Sequence, residues 1–175
     1  AAMAATFGCR RLVATIPGAD PVAIARAAGA AADTATSSGV RLCLHPHQGT
    51  AVATAADTDR VLAATDPYQV TVCADTGHLL AAGDDPAAAV AAWAPRLGAL
   101  HLKDIDARGR VVPVGVGRLA VSSTLAAVGR ALADGAPLFH LTLEVEDVDD
   151  PDTALSTSLT ALARGSAGSR CGGRR

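Results

Sequence analysis

The sequence is poor in aromatic residues and in lysine. Only 2% of its 175 residues are aromatic whereas 50% are hydrophobic, so alanine, valine and leucine must build the core. Of the 15 basic residues, Lys103 is the one lysine and the others are arginine. Because arginine cannot replace a compact amine that can lose its proton, Lys103 is a candidate for a specific role.

Long apolar segments and paired cysteines are also lacking. No stretch of about 20 residues is apolar enough to span a membrane, and the first nine residues do not resemble a signal peptide. The 4 cysteines are far apart and form no C-x-x-C motif, which predicts a reducing compartment without disulfides or structural zinc. Cys43 and Cys73 fall in predicted strands as small hydrophobic residues. We therefore expect a cytoplasmic protein with no membrane partner.

Basic clusters are absent from most of the chain. The formal net charge is −2, and the arginines are scattered except in the last residues, S-R-C-G-G-R-R. This distribution argues against nucleic acid as a partner, because nucleic-acid binding needs a broad basic surface. We expect one domain over residues 1–164, followed by a disordered basic tail at residues 165–175.

Strand and helix patterns alternate along the chain. Predicted strands are Arg11–Ile16, Val40–Leu44, Val70–Ala74, Ala99–Leu102 and Leu138–Val145. Predicted helices are Pro21–Thr36, one that begins at Asp57 or Thr58, Pro86–Leu97, Leu119–Ala133, and one from Pro151 to about Arg164, with a long loop at Ile105–Arg118. This alternation is typical of a parallel sheet covered by helices. It fits either a small open α/β sheet or part of a barrel.

Residues of the metal-ligand type end four successive strands. They are His45 and His47, then Asp75, His101 and Glu144. The carboxyl ends of parallel strands meet at one edge, with neighbouring strands about 4.8 Å apart, so these side chains are expected to converge. Mixed carboxylate and imidazole ligands suit Mn²⁺, Co²⁺, Fe²⁺ or Zn²⁺. One such residue is more often a helix cap or a core residue, but four in succession favour a metal site.

These strand ends resemble the motifs of a known family. The similar segments are H-P-H-Q-G-T (His45–Thr50), A-D-T-G-H (Ala74–His78), L-H-L-K-D (Leu100–Asp104), V-P-V-G-V-G (Val112–Gly117) and L-T-L-E (Leu141–Glu144). In this order they resemble the sugar phosphate isomerase/epimerase family of xylose isomerase-like TIM barrels, and most of all its inosose dehydratase branch. The resemblance covers about residues 10–163.

The resemblance implies a ligand set. Asp75, His101 and Glu144 would bind a divalent metal such as Mn, Co, Mg or Zn. Many family members have a glutamate where this chain has His45, and the dehydratase branch shares the histidine. Either His45 or His47 would complete the metal shell.

The resemblance also implies a class of reaction. The chain is expected to be a metal-dependent dehydratase, isomerase or epimerase that removes a proton next to the carbonyl of a sugar or polyol ketone. The expected catalytic residues are Glu144, Lys103 and His78, and the expected substrate contacts are His47, His78 and Lys103. Val116 stands where relatives often carry an acidic residue, which leaves the substrate open.

Lys103 has two possible positions. It follows His101 by two residues, so on a continuous strand both side chains point to the same face, the barrel interior. Alternatively the strand ends at His101, and Lys103 turns out to solvent. The sequence alone favours neither position.

The number of βα units suggests an incomplete barrel. A closed barrel needs eight units. The family resemblance implies that this chain matches the last five of them, so we expect an open, truncated xylose isomerase-like barrel. Its free edges favour association into a homo-oligomer. One alternative is a metal phosphodiesterase like endonuclease IV, which shares the D-x-x-H spacing of Asp75 and His78 but needs a basic face. Another is an inactive fragment of the barrel.

Overall fold

Five parallel strands form the central sheet of the computed structural model, which describes residues 1–18 and 20–170. The strands are β1 (Arg11–Ala14), β2 (Arg41–Leu44), β3 (Val70–Asp75), β4 (Leu97–Leu102) and β7 (His140–Leu143). They follow one another in the order β1-β2-β3-β4-β7, and all are parallel. Among the described residues β1 and β7 do not pair with each other, so the sheet is an open half-barrel. The predicted α/β architecture is confirmed, and the truncation stays a prediction.

Helices and one small hairpin connect these strands. The helices are α1 (Ala2–Thr6), α2 (Pro21–Thr36), α3 (Ala55–Ala63), α4 (Thr76–Ala82), α5 (Pro86–Ala92), α6 (Val121–Ala133) and α7 (Pro151–Arg170). A two-stranded antiparallel hairpin, β5 (Asp104–Ile105) and β6 (Val111–Val112), lies within the segment predicted to be loop. Within the described part of the chain, no helix combines the length and apolar character needed to cross a membrane.

Side-chain caps explain where several helices begin. The carboxylate of Asp20 accepts hydrogen bonds from the first turn of α2, and that of Asp85 accepts one from Ala87 of α5. The predicted start of α3 at Asp57 or Thr58 is wrong, because Thr54 caps this helix and Asp57 bonds back to it. This reciprocal pair satisfies two backbone donors, so the helix begins at Ala55.

Two predicted boundaries are corrected by tertiary packing. The helix predicted to reach Leu97 ends at Ala92, a 3₁₀ turn follows at Ala94–Arg96, and Leu97 already belongs to β4. Residues 165–170, predicted as part of a disordered tail, are the end of α7. A Cβ on Gly165 would lie 2.9 Å from Val121 Cγ1, so glycine lets α7 pack closely on α6. Residues 171–175 of the predicted tail lie outside the described residues.

The sheet buries side chains on both faces. Its outer face packs on the helices in the main core, whose members include Ile24, Leu42, Val72, Val90 and Leu100. Burial of each such side chain stabilises the fold by about 1.5–3 kcal/mol. A smaller cluster of Cys43, Cys73 and Ala99 lies on the inner face. Both cysteines are buried and free, as their predicted role as small hydrophobic residues requires.

The sheet is strongly curved at the amino ends of its strands. The guanidinium of Arg11, on the edge strand β1, lies 4.3 Å from the ring centroid of Phe139, which precedes the other edge strand. A cation over an aromatic ring contributes about 0.5–2 kcal/mol. This contact brings the two edges together below the inner face, while the carboxyl ends of the strands carry the candidate site.

Candidate metal and active site

The four predicted metal ligands lie together at the carboxyl edge of the sheet. Asp75 ends β3 and pairs in register with His101 on β4. His45 directly follows β2, and Glu144 directly follows β7, with its backbone N–H bonded to Leu102. Parallel strands in sequential order therefore bring one ligand-type side chain from each of four successive βα units to this edge.

Asp75 is at the centre of the cluster, and its side chain is 0% exposed. Its Oδ1 accepts a hydrogen bond from the backbone N–H of His78 and caps α4, a helix that the sequence analysis missed. Its Oδ2 faces the site, 3.6 Å from His45 Nε2, 3.8 Å from His101 Nδ1 and 4.0 Å from His78 Nε2. The carboxylate of Asp75 thus caps α4 with one oxygen and lies at the centre of the site with the other.

Several buried atoms of this cluster have no hydrogen-bond partner. They are His45 Nε2, Asp75 Oδ2, His101 Nδ1 and Glu144 Oε2. His101 Nδ1 and Glu144 Oε2 are 3.0 Å apart but do not form a hydrogen bond. Buried polar atoms are rarely left unpaired, so their convergence needs an explanation. A divalent cation would satisfy all four atoms, and the residues present therefore fit a metal ion.

Two of the overlapping groups of ligand atoms combine carboxylate and imidazole, and either could hold that ion. One is Asp75, His101 and Glu144, and the other is His45, Asp75 and His78, with ligand atoms within 4.8 Å of one another in each group. His45 therefore lies in one of these candidate groups, beside Asp75. Among the described residues, His47 is in none of these groups. Its Nδ1 lies 2.6 Å from the carbonyl of Gln48, and its ring centroid is 4.0 Å from that of His78.

Lys103 points into the site and is only 5% exposed. Its Nζ lies 2.8 Å from Glu144 Oε1, 2.7 Å from Glu146 Oε1 and 3.8 Å from Asp75 Oδ2. The stem of the lysine packs against Gly77, where a Cβ would lie 2.6 Å from the lysine Cδ. Of the two positions that the sequence left open for Lys103, the structure has the interior one.

The charges of the cluster shift several pKa values. Burial raises the pKa of Asp75, but the side chain of His45, the N–H of His78 and the charge of Lys103 outweigh burial and lower it to about 2. Burial is the main cause that lowers the pKa of His78 to about 4, and it also lowers the pKa of His101. Both histidines are therefore neutral near pH 7, the form that binds a metal.

Lys103 keeps its charge despite its burial. Burial lowers its pKa, yet the hydrogen bonds with Glu144 and Glu146 raise it above the usual value. The site therefore holds a fixed ammonium beside carboxylate and imidazole ligands. A charged donor in this position can hydrogen-bond an oxygen of a bound substrate.

Two acidic residues have positions that the sequence analysis did not predict. Glu146 was missed, although the E-x-E spacing with Glu144 was a signal that both could face the same side. Asp104, in the L-H-L-K-D motif, is buried and points away from the metal cluster. Its carboxylate accepts hydrogen bonds from four backbone N–H groups, those of Ile105, Gly115, Gly117 and Leu119. Asp104 therefore shapes the loop before α6.

Comparison with known proteins agrees with this geometry. Inosose dehydratase of Lacticaseibacillus casei is 38% identical over 73 residues, which cover 42% of this chain and 24% of that enzyme. The matched segment therefore spans about a quarter of the length of this relative.

Solved structures show the same fold at low identity. A D-tagatose 3-epimerase-like protein matches with a TM-score of 0.76 and 14% identity, over 95% of this chain and 66% of its own. The IOLI protein, whose structure has a bound zinc atom, matches with a TM-score of 0.68 and 17% identity, over 94% and 66%. A model of the xylose isomerase-like TIM barrel family matches residues 1–164. Since this match takes in most of the chain, the protein belongs to the xylose isomerase-like TIM barrel family.

Proposed function

We propose that this chain contributes the metal-binding side of an active site that removes a proton next to the carbonyl of a sugar or polyol ketone. The reaction that we favour is dehydration of an inosose. The observation that carries the proposal is the convergence of four buried ligand atoms without a hydrogen-bond partner beside a buried lysine at one edge of the sheet. The match to an inosose dehydratase supports the choice of substrate.

Asp75, His101, Glu144 and His45 would hold the divalent metal. Their oxygen and nitrogen donors suit Mn²⁺, Co²⁺, Mg²⁺ or Zn²⁺. When bound, the ion would polarise a substrate carbonyl and thereby acidify the neighbouring C–H. Asp75 would be its most constant ligand, because its low pKa keeps the carboxylate ionised at all working pH values.

Glu144 is the residue that we assign as the proton acceptor. It is the most exposed of the ligands, with 27% of its side chain open to solvent, whereas Asp75 is wholly covered. A carboxylate that reaches the open side of the cluster can approach a substrate C–H, provided that it lies within hydrogen-bond reach. Its Oε2 would remain on the metal, and its Oε1, whose direction Lys103 fixes, would face the substrate.

Lys103 and His78 are assigned complementary roles. The ammonium of Lys103 would hydrogen-bond the substrate oxygen on which negative charge develops, and would then protonate a departing hydroxyl. His78, neutral because its pKa is lowered to about 4, would hydrogen-bond substrate hydroxyls together with His47. Expulsion of the hydroxyl gives dehydration, and return of the proton to carbon gives isomerisation or epimerisation.

Metal content and activity test this proposal together. The chain is stripped of metal with a chelator, reloaded with Mn²⁺ or Co²⁺, and assayed for loss of water from an inosose. We expect one tightly bound ion per chain and activity that returns only with metal. Asp75→Asn and His101→Ala should lose the ion, as measured by mass spectrometry of metals, because each removes a buried ligand.

His140→Ala is the matched control for the histidine variant. His140 is an exposed histidine on β7, outside the ligand groups, so its removal should leave metal content and turnover unchanged. Equal metal content in Asp75→Asn and the unchanged chain would contradict the proposed metal site. A chain that binds the ion but never dehydrates an inosose would contradict the proposed reaction.

A further inference from the structure

A third group of ligand atoms lies deeper on the inner face of the sheet. It consists of His45, Cys73 and His101, with one ligand atom of each within 4.8 Å of the others. Cys73 precedes Asp75 by two residues on β3, and side chains at this spacing point to the same face of a strand. The thiol is therefore directly below the central carboxylate of the metal cluster.

Cys73 has a free thiol, although the hydrogen bond with the Cys43 thiol and burial raise its pKa. It is 0% exposed and forms no disulfide. The two imidazole nitrogens nearest to the metal position, His45 Nε2 and His101 Nδ1, are buried and have no hydrogen-bond partner. The same two histidines can therefore bind an ion together with the carboxylates of Asp75 and Glu144, or an ion together with the sulfur of Cys73.

The two positions differ in the kind of ion they select. Carboxylate oxygens prefer hard ions such as Mn²⁺ and Mg²⁺, whereas a thiolate prefers soft ions. Cd²⁺ is a soft ion of the same charge as Mn²⁺, so it should move towards sulfur where the site offers one. The Asp75, His101 and Glu144 group contains no sulfur, and the His45, Cys73 and His101 group does.

Cys43 offers an internal comparison. It lies in the same inner-face cluster, is also 0% exposed, and its thiol contacts that of Cys73. Among the described residues it belongs to none of the groups of ligand atoms. If burial as a small hydrophobic residue were the whole role of both cysteines, replacing either one would have the same effect on metal binding.

We propose that Cys73 gives the site a second coordination mode, in which His45, Cys73 and His101 bind a thiophilic divalent cation, with Cd²⁺ as the test ion. The metal–sulfur bond replaces the S–H bond of Cys73, the proton leaves with a water molecule shed by the entering ion, and no oxidation or reduction occurs. This mode rests on the proposed metal site, because it shares two of its histidines. A thiophilic ion bound in this way withdraws both histidines from the ion held by the carboxylates, so it should compete with Mn²⁺.

Cadmium titration of cysteine variants tests the second mode. Cys9 and Cys171 are first replaced by serine, which leaves the two strand cysteines as the only thiols. Ultraviolet difference spectra on Cd²⁺ addition should show a thiolate-to-cadmium band in this background and in Cys43→Ser. The band should be absent in Cys73→Ser and in Cys73→Ala, two variants that replace the sulfur in different ways.

Measuring the affinities of Cys73→Ser for both Cd²⁺ and Mn²⁺ distinguishes loss of the sulfur ligand from unfolding of the variant. Cys73→Ser should weaken Cd²⁺ binding by about 10-fold or more. Losses of this size follow when a residue that supports a metal ligand is replaced, and loss of a ligand itself should cost at least as much. The Mn²⁺ binding of Cys73→Ser should match that of Cys43→Ser, because neither thiol is a ligand for the hard ion. Retained Mn²⁺ binding also shows that the variant is folded.

Three results would overturn the inference. A thiolate band that survives in Cys73→Ser would assign the sulfur to another residue. Mn²⁺ binding without any cadmium–thiolate band in the starting chain would refute the second mode and leave the metal site standing. Failure of the starting chain to bind either ion would refute both the second mode and the proposed metal site.

Discussion

At the residue scale, the burial of Lys103 is the feature with the clearest consequence for catalysis. Its ammonium is held by Glu144 and Glu146, and its stem fills the space beside Gly77. A guanidinium is larger and planar, so arginine cannot place a single donor in the same position. The lysine is near the metal cluster but offers no lone pair to an ion while its amine is protonated.

Lys103→Arg should therefore separate catalysis from metal binding. We expect metal content to stay unchanged while turnover falls by about 100-fold or more, the scale for a positioned proton donor. Metal analysis and steady-state kinetics on the same preparations would measure both. Arg110→Lys, a change of the same size at an exposed ion pair with Asp106, is the control. Turnover equal to that of the control would place Lys103 outside the reaction.

The convergence of the strand-end residues could be predicted from the sequence, because each follows an apolar run at the point where a parallel strand ends. The interior position of Lys103 could not, because it depends on the close approach that Gly77 permits from another segment. Glu146 was missed because its E-x-E spacing with Glu144 indicates a shared face only where the strand continues. It follows β7 in a segment without regular structure, and only the path of that segment brings it to the lysine.

At the element scale, Asp104 organises the connection between β4 and α6. Its buried carboxylate collects four backbone N–H groups from both ends of this connection. Asn would keep one acceptor oxygen and place an NH₂ group against backbone donors. Hydrogen bonds to a charged group contribute about 1.5–3 kcal/mol each, and buried donors left unpaired carry a further cost.

Asp104→Asn should consequently lower the free energy of unfolding by about 3 kcal/mol or more. Urea unfolding followed by circular dichroism would measure the loss. Asp106→Asn is the matched control, since Asp106 lies on the same hairpin and accepts backbone hydrogen bonds near the surface. Its effect should be about 1 kcal/mol or less. Equal losses in the two variants would show that Asp104 does not organise the connection.

Elements with local signals were predicted well, and elements that depend on distant contacts were not. The Asp20 and Asp85 caps precede proline and helix-forming residues, so they are visible in the sequence. Helix α4 was missed because its cap, Asp75, was interpreted only as a ligand. The β5–β6 hairpin was missed because strands of two residues carry no periodicity.

At the scale of the whole molecule, the sheet has two free edges among the described residues. Edge strands offer unpaired backbone groups and invite pairing with another chain. On the last strand Leu141 is 44% exposed, and on the first Leu12 is 37% exposed. We propose that these edges cause the chain to associate with copies of itself.

Leu141→Lys should shift this association towards monomer, because a charge on an edge strand opposes pairing. Light scattering coupled to size-exclusion chromatography at several concentrations would measure the mass. Val22→Lys replaces a 61% exposed residue on α2, away from both edges, and should leave the mass unchanged. A monomeric starting chain, or an equal response to both substitutions, would refute association through the edge.

The sequential strand order also determines the order in which the residues of the site come together during synthesis. Each βα unit can join the sheet as it leaves the ribosome, because its neighbour in the sheet is the strand made just before it. The ligands then arrive singly, in the order His45, Asp75, His101 and Glu144. The group of Asp75, His101 and Glu144 is complete only when β7 has docked, so backbone hydrogen bonds and apolar packing must hold β1 to β4 together until then.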